Sequence, residues 1–281
     1  MLVFLLKGVK NMEILQNLLR IMDVDMERPG LYGWFHLLWL GITILTAVAL
    51  CRWYPKDRKP HGLILTVTVA MILLEIYKQI NYSFSYTNGI TYDYQWYAFP
   101  FQFCSTPMYV GLLAALTRKG RIHDAACAYL ATFAVFAGVC VMLYPADVFI
   151  DTVGINIQTM ICHGSMIFLG VYLLYSGYVK LEHKTVLKAA AVFAVCVGLA
   201  MGMNELTHAT GLLERETFNM FFISPYCAPS LPVYSLVQRV VPYPLNLVIY
   251  IAGFTLAAYL ILLVAMGVRR LGQRKVVAKV S

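Results

Sequence analysis

The chain has few charged residues for its length. Asp, Glu, Lys and Arg together make up 13% of its 281 residues, whereas hydrophobic residues make up 60%. A soluble domain averages about 25% charged residues and about 45–50% apolar ones, so this composition excludes a water-soluble globular protein. The sequence predicts an all-α integral membrane protein.

The sequence also lacks the cysteine spacings of disulfide frameworks and zinc sites. Its seven cysteines are odd in number, form no Cys-x-x-Cys pair and lie mostly inside apolar stretches. We therefore expect no disulfide framework, no bound metal and no cofactor. The net charge of +8 does not indicate nucleic-acid binding, because the basic residues lie mainly in short loops and the C-terminal tail, as topology signals do.

Seven stretches come close to the length of about 20 apolar residues that crosses a membrane. Their approximate bounds are 34–53, 61–80, 99–116, 125–143, 155–179, 186–203 and 247–268. Residues 1–30 carry Ile14, Leu15 and Leu18 at helical spacing among charged residues, which predicts an amphipathic helix at the membrane surface. A proline-rich outer loop, 205–244, joins the last two spans, and a basic tail, 269–281, ends the chain.

Basic residues alternate with their absence from one loop to the next. The loops after the first, third and fifth spans and the C-terminal tail are basic, whereas those after the second and fourth spans contain no Lys or Arg. Cytoplasmic loops are enriched in Lys and Arg. This pattern predicts a multi-pass protein of the cell membrane with its N-terminus outside and its C-terminus in the cytoplasm.

Under this topology, the polar residues inside the spans fall in the outer half of the bundle. Four predicted helices contribute them: Glu75 and Lys78, Gln102 and Cys104, His163, Asn204 and His208. His163, for example, lies about 12 Å from Ile155 at 1.5 Å per residue. An ionisable group inside a membrane costs several kcal/mol unless it is paired or faces a cavity, so these residues are candidates for function.

Cys104 and His163 are the candidates for chemistry. A cysteine nucleophile reacts as a thiolate and needs a base or a positive charge, and His163 is the one histidine deep within a predicted span. Both have a structural alternative, since a membrane cysteine is often a small apolar filler and a histidine often hydrogen-bonds between helices. Four other histidines are expected at span ends or in loops, facing water or head groups: His36, His61, His123 and His183.

The remaining polar candidates have a substrate-binding and a structural interpretation. Glu75 and Lys78 are three residues apart on one predicted helix, so they either pair with each other or orient a base or bind a head group. Asn204 and His208 either contact a substrate or are solvated at the membrane interface. Gln102, or backbone amides, could stabilise an oxyanion.

Three short motifs carry a resemblance to a known family. They are Phe-Pro-Phe-Gln-Phe-Cys-Ser at 99–105, Cys-His-Gly-Ser at 162–165 and Phe-Asn-Met-Phe-Phe at 218–222. With them the chain resembles the YwaF family of bacterial multi-pass membrane proteins, which is related to eukaryotic transmembrane acyltransferases that make polyunsaturated ether phospholipids. The resemblance implies a cysteine-dependent enzyme with Cys104 as nucleophile, His163 as its partner and Asn219 in the third motif.

The leading hypothesis is a seven-helix acyltransferase or transacylase that acts on phospholipids or lysophospholipids through Cys104 and His163. A transporter and a ligand-binding receptor without catalysis are the alternatives. We find no repeated halves of the kind that many transporters have, and the number of spans is weak evidence for a receptor.

Overall fold

The computed structural model describes residues 2–56, 59–87, 89–213, 218–231, 234–243 and 245–280, with side chains from 12 to 273. It is mostly helical. The helices are α1 (Leu2–Met22), α2 (Trp34–Trp53), α3 (His61–Ser83), α4 (Thr106–Thr117), α5 (Arg121–Ala131), α6 (Phe133–Leu143), α7 (Val153–Tyr175), α8 (His183–Thr210), α9 (Tyr234–Val240) and α10 (Leu245–Val280). A two-stranded antiparallel hairpin, β1 (Phe84–Ser85) with β2 (Thr91–Tyr92), follows α3.

Six helical segments of the described chain are long and apolar enough to cross a membrane. They are 34–53, 61–83, 121–143, 153–175, 183–210 and 245–273. The segment 121–143 joins α5 and α6 through Thr132, whose non-helical backbone (φ −129°, ψ −71°) interrupts the helix. The multi-pass helical architecture that the sequence predicted is therefore present.

The predicted span 99–116 is not among these six. Its helical part is a single 3₁₀ turn, Phe103–Ser105, followed by the 12 residues of α4. At 1.5 Å per residue α4 is about 18 Å long, well short of a hydrocarbon core of about 30 Å. Pro100 contributes to the late start, because proline has no N–H to donate and restricts the preceding residue to extended backbone, as at Phe99 (φ −49°, ψ 134°). Pro107 lies in the first turn of α4, where proline is tolerated.

Helix α7 lies at the centre of the bundle and packs against α2, α3, α5 and α6. Small residues bring these helices close together. A Cβ on Gly170 would lie 2.1 Å from Val135 Cγ2, and one on Gly164 would lie 2.5 Å from Thr43 Oγ1. Close approach through glycine is how helices pack tightly in lipid, where the hydrophobic effect does not drive helices together.

The basic loops lie at one end of the helix bundle, and the loops that contain no Lys or Arg lie at the opposite end. At one end, His61 Nε2 bonds to the Arg118 carbonyl at 2.9 Å, and Lys188 pairs with Asp124 at 3.2 Å. This end holds the basic loops between α2 and α3, α4 and α5, and α7 and α8. The hairpin β1–β2 and the α6–α7 loop lie at the other end, which we call the outer end.

The N-terminal segment is attached to the outer end. Tyr77 Oη donates to the Met22 carbonyl at 2.6 Å, and residues 24–26 pair with 151–153 at the start of α7. Residues 2–22 form a helix, and its predicted amphipathic character is not confirmed. Its membrane-surface location stays a prediction, although Ile14 and Leu18 are about half exposed.

The predicted outer loop 205–244 contains more helix than the sequence indicated. Helix α8 continues to Thr210, and α9 occupies Tyr234–Val240. Residues 218–224 form a compact segment with one 3₁₀ turn, Met220–Phe222, which we call the outer clamp.

Candidate functional site

Glu75 and Lys78 form an ion pair on α3. Lys78 Nζ lies 2.9 Å from Glu75 Oε1, and the two side chains keep only 18% and 11% of their exposure, respectively. Gln79 Nε2 donates to the same carboxylate oxygen at 2.7 Å and to the Ala98 carbonyl at 2.8 Å. The pairing interpretation is therefore correct, and it fixes the carboxylate against the loop that leads to Cys104.

His163 is buried near the middle of α7 and uses only one ring nitrogen. Its Nδ1 lies 2.7 Å from the Thr159 carbonyl one turn earlier. Because a carbonyl only accepts, Nδ1 must carry the proton, and in the neutral ring Nε2 carries the lone pair. Nε2 is buried and has no hydrogen-bond partner. An unsatisfied buried polar atom costs about 1–3 kcal/mol, which makes this nitrogen a candidate for binding or proton transfer.

Cys104 lies in the 3₁₀ turn that begins the α4 helix. It is a partly buried free thiol. Along α4, Thr106 lies about 17 Å from Thr117 at the basic end of the bundle. Cys104 is two 3₁₀ residues earlier in the chain and is therefore about 4 Å further from that end. The neighbouring helix α3 is about 33 Å long. Cys104 is therefore more than halfway from the basic end, in the outer half of the bundle.

His163 lies at a similar depth. It is ten residues from Val153 at the outer end of α7, or about 15 Å. Helix α6 packs against both sites, touching the 3₁₀ turn of Cys104 and, through Gly138, the His163 backbone carbonyl. Nevertheless, within the part of the chain that the structure describes, no hydrogen bond joins the Cys104 thiol to the His163 ring.

Lys78 links the two candidate residues electrostatically. The positive charge of its ammonium group acts electrostatically on both the Cys104 thiol and the His163 ring. It also acts on Cys162, the neighbour of His163 in the sequence. The Cys104 turn and the middle of α7 are therefore both within electrostatic reach of Lys78 on α3.

Gln102 is hydrogen-bonded to the outer clamp through both ends of its side-chain amide. Its Nε2 donates to the Asn219 carbonyl at 3.0 Å, and its Oε1 accepts from the Phe221 N–H at 2.8 Å. Both ends of the amide are occupied by the outer clamp. Gln102 is therefore placed to fix the backbone two residues before Cys104.

The two asparagines also hold the outer clamp. Asn204 makes two bonds to Met220, accepting from its N–H at 2.8 Å and donating to its carbonyl at 3.1 Å. Asn219 accepts from the Ser224 N–H at 2.9 Å. Within the clamp, Phe221 and Phe222 have positive φ values of 59° and 57°, a conformation that costs a bulky residue about 1–2 kcal/mol. These side-chain bonds compensate for that strain.

His208 belongs to a separate cluster on the outer surface. Its ring stacks on Tyr226 with the centroids 3.4 Å apart, and the Tyr226 hydroxyl donates to Glu205 at 2.8 Å. The structure shows no direct contact between this cluster and Cys104 or His163 among the described residues.

Two histidines expected to face water or head groups are instead buried. His36 is 0% exposed and lies 2.8 Å from the Met142 carbonyl. His123 is 3% exposed and lies between the Ala114 carbonyl and the Tyr178 hydroxyl. The expectation was wrong for both because a helix end can be covered by its neighbours, which the span boundaries do not reveal.

Tyr250 is a contributor that the sequence reasoning missed. Its hydroxyl donates to the Phe221 carbonyl at 3.1 Å, so α10 also holds the outer clamp. A tyrosine within an apolar span resembles a packing residue, and only its partner reveals the role. In the described residues, no group of three or more His, Cys, Asp or Glu side chains is arranged to hold a metal ion.

Comparison with known proteins gives one match. The model of the TMEM164 family matches residues 31–266, which include every candidate residue above. No curated protein and no solved structure matches the chain. The resemblance to the YwaF family stays a prediction from the three motifs.

Proposed function

The chain belongs to the TMEM164 family of transmembrane proteins, and we propose that it is a membrane-embedded acyltransferase or transacylase that uses Cys104 and His163. The unpartnered Nε2 of His163 carries this proposal. A buried nitrogen with a free lone pair, at a depth similar to that of a thiol, is placed to accept a proton from a nucleophile, and a nearby positive charge such as that of Lys78 favours the resulting thiolate. The three-motif resemblance to ether-phospholipid acyltransferases supports the same chemistry.

In the first half-reaction, His163 Nε2 takes the proton of the Cys104 thiol, and the thiolate attacks the carbonyl carbon of a phospholipid ester. The new C–S bond forms as the ester C–O bond breaks. His163 returns the proton to the departing alkoxide, which leaves as a lysophospholipid. The acyl group is then held on Cys104 as a thioester.

In the second half-reaction, His163 takes the proton of a lysophospholipid hydroxyl. The oxygen attacks the thioester carbonyl, the C–S bond breaks and the proton returns to the Cys104 thiolate. The developing oxyanion needs donors. Both ends of the Gln102 amide are engaged, and the N–H groups of Ser105 and Thr106 donate to the Gln102 carbonyl. The backbone N–H groups of Phe103 and Cys104, at the start of the helix, are therefore better candidates.

The test is acyl exchange in liposomes, with a labelled phospholipid as donor and a lysophospholipid as acceptor. We expect Cys104→Ala to abolish turnover. We also expect the wild-type chain, incubated with donor alone, to carry an acyl label on Cys104 that hydroxylamine releases. Cys196→Ala is the control, since Cys196 is a buried free thiol on a different helix, α8. Exchange by Cys104→Ala at the wild-type rate would exclude this mechanism, and gradient-driven flux without a thioester would favour a transporter.

The proposal includes an orientation. The basic end of the bundle faces the cytoplasm of the cell, and the outer clamp, the N-terminus and the hairpin face outside. The substrate then enters from the outer leaflet, because Cys104 and His163 are nearer that end.

A further inference from the structure

Two buried hydroxyl groups lie beside the turn that carries Cys104. Thr106 and Tyr129 are both 0% exposed. The Thr106 hydroxyl donates to the Phe103 carbonyl at 2.7 Å, and its oxygen lies 2.5 Å from the Tyr129 hydroxyl. Because a threonine hydroxyl has a single proton and this one is given to the carbonyl, the tyrosine is the donor of the second bond. A directed chain of hydrogen bonds therefore runs from Tyr129 through Thr106 to Phe103.

Pro107 explains why Phe103 needs a side-chain donor. In an α-helix, the carbonyl of residue 103 accepts from the N–H of residue 107, and proline has no N–H. The Thr106 hydroxyl supplies a donor in place of the missing one. Tyr129, on α5, then adds a second hydroxyl beyond what the carbonyl itself requires.

The chain ends on the peptide unit that joins Phe103 to Cys104. This unit is planar and trans, so its N–H, which belongs to Cys104, points opposite to its carbonyl. Hydrogen bonds to the carbonyl polarise the unit and strengthen the N–H as a donor. The Cys104 N–H is also in the first turn of a helix, where N–H groups have no acceptor within the helix. A polarised donor thus lies beside the thiol of the same residue and points away from Tyr129.

Aromatic packing holds the Tyr129 hydroxyl in place. The Tyr129 ring stacks on Phe133 with the centroids 5.5 Å apart, and Phe133 stacks on Phe193 at 4.7 Å. Phe193 in turn lies edge-on to Phe103 at 5.3 Å. The rings therefore lead from Tyr129 back to the residue whose carbonyl ends the hydrogen-bond chain. Tyr129, Phe133 and Phe193 are all 0% exposed, so the arrangement is closely packed and has few alternative rotamers.

We propose that Tyr129 and Thr106 are positioning residues that hold the Phe103–Cys104 peptide unit so that the Cys104 N–H donates to the oxyanion formed on an acyl carbonyl. The inference rests on the proposed function, because the oxyanion arises only when the Cys104 thiolate attacks a carbonyl carbon. Neither hydroxyl touches the reacting atoms. Tyr129 acts on Thr106, and Thr106 acts on the peptide unit.

The first test is the kinetics of acyl exchange in liposomes. Tyr129→Phe and Thr106→Val each break the chain, and both should lower kcat with KM unchanged, because the interaction is made only in the transition state. We expect a loss of about tenfold, smaller than the roughly 10²- to 10³-fold cost of removing an oxyanion donor outright, since the N–H itself remains. Thr106→Ser keeps the hydroxyl and should restore most of the rate.

Tyr172→Phe and Thr185→Val are the matched controls. Each removes a buried hydroxyl that donates to a backbone carbonyl, that of Pro55 and that of Lys180, respectively. Both bonds lie at the basic end of the bundle, so kcat should not change. The double variant Tyr129→Phe/Thr106→Val covers the case in which Thr106→Val alone does not fold, because it leaves no phenol without an acceptor. It should lose no more activity than Thr106→Val, since Tyr129 acts through Thr106.

Two further readouts separate this role from a purely structural one. Alkylation of Cys104 by iodoacetamide, followed by peptide mass spectrometry, forms no oxyanion and should proceed in Tyr129→Phe at the wild-type rate. With a ¹³C-carbonyl donor lipid alone, the infrared carbonyl stretch of the Cys104 thioester should lie at a higher frequency in Tyr129→Phe than in the wild-type protein, because the hydrogen bond to that carbonyl is weaker.

The outcomes distinguish this inference from the proposed function. Wild-type exchange with an unchanged kcat in Tyr129→Phe and Thr106→Val would overturn the inference and leave the acyl transfer intact. An equal loss of alkylation and exchange would also overturn it, because the two hydroxyls would then act on the thiol rather than on the oxyanion donor. An unchanged carbonyl frequency would do the same. Absence of exchange in the wild-type protein would overturn the proposed function, and this inference with it.

Discussion

The imidazole of His163 is held by one nitrogen and left free at the other. The Nδ1 bond to Thr159 fixes the tautomer and the ring orientation, while Nε2 stays buried without a partner. A purely structural histidine between helices would be expected to use its second nitrogen too, because leaving it unsatisfied is costly. The unsatisfied Nε2 of His163 therefore costs stability, and it is the atom that accepts the proton in the proposed mechanism.

His163→Asn tests this interpretation. The asparagine amide can still donate to the Thr159 carbonyl, but it has no basic nitrogen at the Nε2 position. We expect acyl exchange to fall by about 10²- to 10⁴-fold, the usual contribution of a general base. The melting temperature in micelles should stay close to that of the wild-type protein. Turnover within a factor of about two of wild type would contradict the assignment of His163 as base.

Among the elements, α7 depends on glycine for its contact with α5 and α6. A Cβ on Gly170 would lie 2.6 Å from the Leu130 carbonyl as well as 2.1 Å from Val135. The Leu130 carbonyl belongs to the backbone, which cannot move aside as a flexible side chain can. We therefore expect Gly170→Ala to destabilise the protein by about 1–3 kcal/mol, the usual cost of overpacking.

Gly202→Ala is the control for that substitution. Gly202 is also in a helix, but it has no neighbouring atom within 4 Å of a built Cβ. There alanine should be neutral or slightly stabilising, because it is the better helix former. Thermal unfolding of the two variants in the same micelles measures the difference, and equal melting temperatures would show that the contact of α7 with α5 and α6 tolerates a methyl group.

The spanning helices could be predicted from the sequence because a membrane demands long apolar runs. The segments 61–83 and 245–273 follow directly from hydrophobic length and flanking charge. The third predicted span had the composition of a helix, yet proline delayed its start until Phe103. Composition measures whether a segment tolerates lipid, whereas proline decides whether its backbone can form the helical hydrogen bonds.

The polar residues of the site could be predicted from the sequence, but the groups to which they hydrogen-bond could not. Glu75 and Lys78 pair as their spacing indicated. Gln102 and Asn204 are unusual as polar residues in a membrane, but their partners are backbone groups of the outer clamp. The partner of Gln102 is more than 100 residues away in the sequence, and that of Asn204 is 16 residues away. An amide side chain has the same donors and acceptor whether it meets a substrate or a backbone, so only the fold distinguishes the two.

Over the whole molecule, the basic loops and the candidate site lie toward opposite ends of the axis along which the helices run. The basic loops lie together at one end, joined by contacts such as His61 with the Arg118 carbonyl. The outer clamp, the aromatic loop and the N-terminal attachment lie at the other. The candidate site is nearer the second end, so a molecule that enters from that end would reach Cys104 without passing the basic loops.

This axis predicts that the short helix α4 and the irregular residues before it together cross the membrane. His61 begins α3 and stacks on His123 of α5 with centroids 5.1 Å apart, whereas the hairpin lies beyond the far end of α3, about 33 Å away. The chain between the hairpin and α5 must therefore travel the length of α3. Irregular backbone at membrane depth is tolerated where protein covers it, and here the outer clamp does so through Gln102.

Cysteine labelling with a membrane-impermeant maleimide measures this crossing. We expect Tyr92→Cys, in the exposed hairpin, to be labelled in intact cells above the background of the natural cysteines. Lys119→Cys, just after α4, should be labelled only after permeabilisation. Asp147→Cys and Lys184→Cys are the matched controls for the outer and basic ends. If Lys119→Cys reacted from outside together with Tyr92→Cys, the segment 99–117 would enter and leave on one side, the two halves of the bundle would need opposite orientations, and the common outer location of Cys104 and His163 would be excluded.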